Sequence, residues 1–359
     1  MKIVLLAAAN NIHTFRWAQG LSSRGHEVHL ISAHNFSFDY PSQVHLHPLR
    51  FSAPFGYIAN IFQLNHLLKL IGPDILNIHY ASGYGLLGTF AKEVPTLIST
   101  WGSDVYEFPR RSLFHKKLLV FILSRATAIA STSTAMAKEL KAYSDRNIYI
   151  TPFGVDVEKF RPKKGLAASN MVTIGTTKAL ASIYGIDTLL LTFTRLLGKF
   201  PQNTLKLVIA GKGPQAHELK ELAAKLGIGD AVHFLGEVSH ERVPDLLNTF
   251  DIFVALSNFE SFGVSILEAM ACELPVVVSD ADGPKEIVAN SDNGFVVPRN
   301  NPEAAAKAIM FLIDNTNKRL EMGKRSREIV LEHYSWEFSV STMVDVFQSA
   351  INSFRKISR

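Results

Sequence analysis

The chain has 359 residues, 47% of them hydrophobic and 19% charged, with a formal net charge of +5. That length exceeds a single compact core and predicts two domains, and the apolar content excludes a disordered chain. The mild positive charge suits an anionic ligand or an anionic membrane surface; it is too weak to indicate nucleic acid, and no nucleic-acid partner is expected.

In chain order, MKIVLLAAAN carries a short apolar run that reads as a first strand rather than a secretory signal. A helical pattern follows from Thr14 to Arg24, then Gly25 and the strand EVHLIS. DILNIHY precedes a glycine-rich turn, ASGYG, and a helical stretch; TLIST precedes WGSD; TAIAST precedes a helix through Lys141. Strands alternating with helices predict βα units and a parallel sheet. Between Tyr149 and Pro162 the rhythm breaks, then resumes with MVTIGTT, LKLVIAG, AVHFLG, DIFVALS and PVVVSD. The expected fold is therefore α/β, with two Rossmann-like doubly wound domains, residues 1–155 and 165–335. Ligands of such sheets bind beyond the carboxyl ends of the strands, so the two domains are expected to face each other across a cleft. The closing segment, about 336–359, reads as a long amphipathic helix that either domain can accommodate, the first included.

The longest apolar runs, such as Leu118–Leu123, fall short of the roughly 20 residues that span a bilayer. The single cysteine, Cys272, cannot form an internal disulfide, which favours a reducing compartment. A cytoplasmic location is expected, the inner face of the membrane included. Residues 108–125 interleave Arg110, Arg111, Lys116, Lys117 and Arg125 with Phe114, Leu118, Leu119, Phe121 and Ile122. Such a helix can lie in an anionic membrane interface. The competing arrangement packs its apolar side on the first sheet.

The most informative stretch is ESFGVSILEAM, Glu260 to Met270. Gly263 marks a tight turn into a helix, and the amides of Phe262, Gly263 and Val264 at its start attract anions such as phosphate. Glu260 stands before that turn and Glu268 more than one turn inside the helix, so they cannot share a role. Two carboxylates flanking an anion cradle match a sugar joined to a ribose by a diphosphate. The ordinary alternative makes Glu260 a helix-terminal carboxylate and Glu268 a solvated one.

This segment resembles the E-x7-E signature of the retaining, nucleotide-sugar-dependent glycosyltransferases of family 4, which have the GT-B fold. TPFGVDVEKFRP resembles that family's interdomain passage and LKLVIAGKGPQ its strand and G-x-G-P turn, and the likeness runs from Met171 to about Phe338. The resemblance implies that Glu260 contacts the transferred sugar and Glu268 the nucleotide ribose, within a donor site of Lys178, Gly211, Glu260, Ser261, Phe262, Gly263, Val264 and Glu268. The family's Arg and Lys after the first strand of this half are not matched: Thr176 stands at the Arg position, and Ile183 or Tyr184 near the Lys position. Lys178 is the only cation of that loop and the candidate for the diphosphate, with Lys212 as a supplement.

In the first half, Asn10, Asn11 and His13 stand where the family carries Gly-Gly. GPDILNIHYASGYGLLG resembles its PD-x-hydrophobic-HxH segment, with Asn77 for the first His and His79 for the second. STWGSDVYEFP is similar to its HG-x-D region, with Trp101 in place of the His and Asp104 retained. The resemblance thus implies acceptor contacts from Asn10, Asn11, His13, His79, Trp101 and Asp104, and catalytic candidates Glu260, His79, Asp104 and Lys178. The implied activity is hexosyl transfer with retention from a nucleotide-diphosphate sugar, a UDP-sugar first, to a hydroxyl of a glycan, lipid-linked glycan or similar acceptor. Cell-surface polysaccharide or glycoconjugate synthesis is the expected setting, with no cofactor and no metal required. Asp280-x-Asp282 has a spacing found at metal sites, but in a loop it is more simply a turn and helix cap. His45 and His47 share a strand face with no third ligand nearby. The rival readings are a non-catalytic sugar-nucleotide-binding partner of another transferase and a sugar-nucleotide epimerase of the same fold. A nicotinamide dehydrogenase is disfavoured, because no G-x-G-x-x-G follows the first strand.

Overall fold

The computed structural model describes residues 1–163, 171–201 and 203–357. The chain divides into two compact units, one of Met1–Pro152 with Glu337–Arg359 and one of Phe153–Trp336. The start expected for the second domain, residue 165, lies outside the described residues.

The first unit is built on a seven-stranded parallel sheet: β1 (Lys2–Leu6), β2 (Glu27–Ser32), β3 (Val44–Pro48), β4 (Ile75–His79), β5 (Thr96–Thr100), β6 (Ala128–Ser131) and β7 (Ile148–Ile150), in the order β3-β2-β1-β4-β5-β6-β7. The central strands β4, β5 and β6 are buried at every position, as sheets covered on both faces require. The second unit has six parallel strands: β8 (Val172–Thr176), β9 (Leu205–Ala210), β10 (Val232–Gly236), β11 (Ile252–Ala255), β12 (Val276–Ser279) and β13 (Gly294–Val297), in the order β10-β9-β8-β11-β12-β13. Its core joins Ile174, Leu207 and Val254 from the sheet to Leu190, Phe193 and Ile309 from the covering helices.

In both sheets the first strand stands third in the order, and the winding reverses beside it: between β1 and β4 in one unit, between β8 and β11 in the other. At such a switch point the two following loops diverge to opposite faces and leave a crevice beyond the strand ends. The loops that open there begin at Ala7 and Tyr80 in the first unit, and at Thr177 and Leu256 in the second. These four loops, or the helices they open, carry most of the sequence-predicted site residues.

At ASGYG the expected turn and helix follow in order, but the turn is only Ala81 and Ser82 and the helix already begins at Gly83, running to Gly88. Its glycines serve close packing: a Cβ on Gly83 would lie 2.3 Å from the Tyr57 ring, and one on Gly88 2.3 Å from Ile78. The closing helix, Trp336–Ile357, groups with the first unit from Glu337 onward, where Arg24 donates to the Glu337 carbonyl at 2.5 Å. Among the described residues, no helix is long and apolar enough to cross a membrane.

Candidate active site

In the second unit, Lys178 leaves the end of β8 and Glu260 the loop after β11, so the sheet order alone brings them together. Lys178 Nζ donates to Glu260 Oε1 at 2.5 Å, and Ser257 Oγ donates to Glu260 Oε2 at 2.9 Å. The two charged side chains are only 5% and 11% exposed. Burial of such a pair is tolerated because each ion compensates the other; removing one would leave a charge stranded in a poor solvent. The Tyr184 ring lies 5.5 Å from Lys178 Nζ and adds its π-face to the cation's surroundings. The Lys178 backbone is held by the turn after β9. A Cβ on Gly211, whose φ is +156°, would fall 2.0 Å from the Lys178 carbonyl, and Leu180 N donates to Lys212 O. The same loops border a cavity of about 350 Å³ lined by Thr177, Lys178, Gly211 and Lys212.

Gly263, at φ +114°, opens the helix Val264–Ala271. That φ strains any residue with a side chain, whereas the nearest atom a Cβ would meet, the tip of Ile266 at 2.8 Å, can move aside. The amides of Phe262, Gly263 and Val264 find no acceptor among the described residues. Ser261 is half-buried beside them, and the Glu260 carbonyl accepts from Gly283 N. Three hydroxyls close to this corner in sequence, those of Thr176, Thr177 and Ser265, are buried without a partner among the described residues. Buried polar atoms of a native fold are nearly always satisfied, so these hydroxyls at the end of β8 and the start of the Val264–Ala271 helix are open to a water or a polar ligand. Further along the helix, Glu268 is buried and accepts from His240 Nε2 at 3.1 Å. Lys159 Nζ donates to His240 Nδ1 at 2.9 Å, which fixes the proton on Nε2 and aims it at the carboxylate.

The Asp280 and Asp282 carboxylates are ion-paired: Asp280 accepts from Arg299 Nε at 3.0 Å and Asp282 from Lys285 Nζ at 2.6 Å. Lys212 is also occupied, donating to Glu237 at 2.5 Å on the surface.

In the first unit, Asn11 caps the helix Ile12–Ser22, its Oδ1 accepting from His13 N at 2.8 Å. Asn10 is exposed beside it. The Trp101 indole is the hub of the site, with His13 edge-on at 5.7 Å, His79 at 4.6 Å and Tyr80 edge-on at 5.4 Å between ring centroids. A cavity of about 180 Å³ opens among Asn11, Thr14, Tyr57, His79, Tyr84 and Trp101. His79 itself is buried, with Thr14 Oγ1 at 3.3 Å from Nδ1 and Asn77 Oδ1 at 3.0 Å from Nε2. Asn77 is oriented in turn by donating to Ser99 and Leu97 O, so the Asn oxygen accepts from His79 Nε2–H and the neutral ring accepts from Thr14. Burial, helped by the nearby His13, pushes the His79 pKa down to about 3.

Asp104 departs from its expected role. Its two carboxylate oxygens accept from the backbone amides of Ala81 at 2.9 Å, Trp101 at 3.1 Å and Gly102 at 2.9 Å. With 1% exposure it faces the chain rather than a ligand, and it clasps the loop after β4 to the loop after β5. Burial raises its pKa, and those amide bonds oppose the rise. Asp104 therefore positions Trp101 instead of touching an acceptor.

Two family models match the chain: "Glycosyl transferase 4-like" over residues 2–133 and "Glycosyl transferases group 1" over residues 157–329. The N-acetyl-alpha-D-glucosaminyl L-malate synthase of Bacillus anthracis is 23% identical over 358 residues, spanning 92% of this chain and 91% of that protein. The chain belongs to the GT-B glycosyltransferases of the family 4 type. Among solved structures, sucrose-phosphate synthase from Thermosynechococcus elongatus superposes with a TM-score of 0.84 at 19% identity, over 98% of this chain and 100% of that one. Anabaena Alr3699/HepE in complex with UDP and glucose gives 0.77 at 18% identity, over 97% and 100%. Several other glycosyltransferase relatives match over only about half of their own length.

A glycosyltransferase that uses a nucleotide sugar needs donors for a diphosphate and acceptors for sugar hydroxyls. The second unit of this glycosyltransferase brings both kinds of group to one strand end. Sequence reading did not single out Ser257, Ser265 or His240 there, nor Thr14, Tyr57 and Tyr84 in the first unit. Ser265 lies inside ESFGVSILEAM and Tyr84 inside ASGYG, but at positions those patterns leave unspecified, and Ser257, His240, Thr14 and Tyr57 gain meaning only when the sheet order places their loops beside others.

Proposed function

We propose that this glycosyltransferase moves a hexose-type sugar from a UDP-sugar to a hydroxyl of a glycan, lipid-linked glycan or similar acceptor, with retention of anomeric configuration and without a required metal. Cell-surface polysaccharide or glycoconjugate synthesis is the setting. The observation that carries the reading is the Lys178–Glu260 pair at the β8/β11 switch point, beside the orphan hydroxyls of Thr177 and Ser265 and the open amides before Val264. These groups supply positive charge, hydrogen-bond donors and one carboxylate, which is what a sugar diphosphate presents a need for.

In this reading the second unit holds the donor. Lys178 keeps one proton on Glu260 and offers its others to the diphosphate, while the Phe262–Val264 amides and the free hydroxyls take remaining phosphate oxygens. Fixed donors aimed at the leaving phosphate stabilise the charge that grows on it, which is usually the largest catalytic contribution. Glu260 accepts from hydroxyls of the transferred sugar, and Glu268, oriented by His240, from the ribose. The first unit holds the acceptor through Asn10, Asn11, His13 and Trp101, with the aromatic floor of Tyr57, Tyr84 and Trp101 against a sugar face. The bond from the anomeric carbon to the phosphate oxygen breaks, the acceptor oxygen bonds to that carbon, and the acceptor's proton passes to the departing phosphate. No protein base is required. That suits His79, whose ring is neutral with both nitrogens engaged, so it orients Trp101 rather than taking a proton. The exposed Leu113 and Phe114, with Arg111 and Lys117 nearby, support a peripheral contact of residues 108–125 with anionic lipid.

A thermal-shift screen with UDP-, GDP- and ADP-sugars tests the reading, since a ligand of the native state raises the melting point by mass action. UDP-sugars are expected to stabilise the wild type most, Lys178→Ala to abolish that shift, and Glu260→Gln to lose transfer while retaining part of it. A wild type inert towards every donor would favour the non-catalytic binding partner, and a donor sugar altered without acceptor would favour the epimerase.

A further inference from the structure

The sequence shows two histidines on one strand, His45 and His47, with no partner near them in the chain. The parallel register changes this. His29 on β2 pairs with His45 on β3, and Ile31 with His47, while Glu27 on β2 is in register with Lys2 on β1. Side chains two apart on a strand share a face, so Glu27, His29, His45 and His47 all project from the same side of the sheet at its β3 edge. The rings of His29 and His45 stack with centroids 4.6 Å apart, and those of His29 and His47 at 5.2 Å.

We propose that Glu27, His29 and His45 form a binding site for a divalent transition-metal ion, zinc first, that ties the edge strand β3 to β2. One ligand atom from each lies within 4.8 Å of the other two. A tetrahedral zinc with bonds of about 2 Å holds its ligands about 3.3 Å apart. His29 Nε2 and Glu27 Oε1 are already 3.0 Å apart, so the ion replaces the proton that now joins them. His45 is exposed and closes the remaining distance by turning out of its stack on His29, and a water completes the fourth position. Two imidazoles and a carboxylate select zinc, nickel or copper over magnesium and calcium, which demand oxygen ligands.

The surroundings fit. His29 is buried and its second nitrogen, Nδ1, lies 2.9 Å from His47 Nε2. A metal-bound His29 donates this N–H to His47, the outer contact that sets the tautomer of a ligating histidine. Lys2 competes for the carboxylate, its Nζ lying 3.4 Å from Glu27 Oε1. Lys2 also donates to the Ile71 carbonyl at 3.0 Å and keeps that anchor when the ion arrives. The site sits toward the amino ends of β1 and β2, opposite the carboxyl ends where the acceptor groups gather, so its task is structural rather than catalytic.

The test is zinc titration of tag-free, full-length protein by calorimetry and thermal shift, beside His45→Ala, Glu27→Gln and His47→Ala. One zinc per chain is expected, with a raised melting point that magnesium and calcium do not reproduce. His45→Ala and Glu27→Gln, both on exposed side chains that leave the fold intact, lose affinity by more than about 100-fold, and His47→Ala loses about 10-fold as an outer contact. Absence of stoichiometric zinc binding to the wild type, or a zinc affinity that His45→Ala leaves within about twofold, would overturn the site.

Discussion

His79 shows how far a residue's surroundings can move it from the role its type suggests. A histidine at the end of a central strand is a natural base, yet its pKa is held near 3 by burial and by the charge of His13. Its unfolded value is close to 6.5, so between pH 6.5 and about 3 the unfolded chain binds a proton that the native ring refuses. Stability from this group is therefore complete above pH 6.5 and is lost as the pH falls towards 3. The gap between the two values corresponds to at most about 5 kcal/mol. His79→Gln removes the titration. The variant is expected to be less stable than wild type at pH 7, through lost packing against Trp101, and to close that gap steadily as the pH falls to 4. Urea unfolding at a series of pH values measures this, and a gap that stays constant across the range would refute the buried neutral ring.

At the scale of elements, the strands were legible because buried parallel strands read as apolar runs: IVLL, LVIA and VVVS need no context. The glutamates of ESFGVSILEAM were legible for a similar reason, since a glycine before an amphipathic run announces a helix start. Contacts that depend on register were not legible. Eighty-two residues separate Lys178 from Glu260, and nothing local in either loop marks their 2.5 Å pairing. His29 and His45 meet only because β3 pairs with β2. Within ASGYG only the boundary was not legible, because glycine permits a turn and equally permits a helix to lie against Tyr57 and Ile78. The segment 108–125 was legible in part. Its helix, Leu113–Arg125, buries Leu119, Ile122 and Leu123, as the packed arrangement requires. It leaves Leu113 79% and Phe114 69% exposed at its first turn, beside Arg110, which reaches Glu139. Burying two such side chains in a lipid interface is worth about 1.4 kcal/mol or more, so Leu113→Ser with Phe114→Ser should weaken binding to anionic vesicles by about tenfold or more. The melting point should be unchanged, because neither side chain is part of the core. Equal sedimentation of variant and wild type with phosphatidylserine vesicles would remove the membrane contact from the proposal.

On the scale of the whole molecule, the chain order and the compact units do not coincide, because the last helix leaves the second unit and is counted with the first. Val340, Met343, Phe347, Ala350 and Ile351 are buried along it at helical spacing, with Phe347 fully enclosed. Truncating a buried phenylalanine to alanine costs about 3–5 kcal/mol through lost transfer energy and the cavity left behind. Phe347→Ala should therefore loosen the first unit although residue 347 follows the whole second unit in sequence. UDP acts from the other side: in the proposed donor site it contacts only loops of the second unit. Hydrogen exchange read by peptide separates the two effects. Phe347→Ala is expected to speed exchange in β1, β2 and the Ile12–Ser22 helix, while UDP slows it at Thr177–Leu180 and Ser257–Glu268. If Phe347→Ala instead loosened β8 to β13 and left β1 to β7 protected, the closing helix would belong energetically to the second unit. If UDP left the Ser257–Glu268 loop unprotected, the diphosphate would have to lie somewhere other than the β8/β11 switch point.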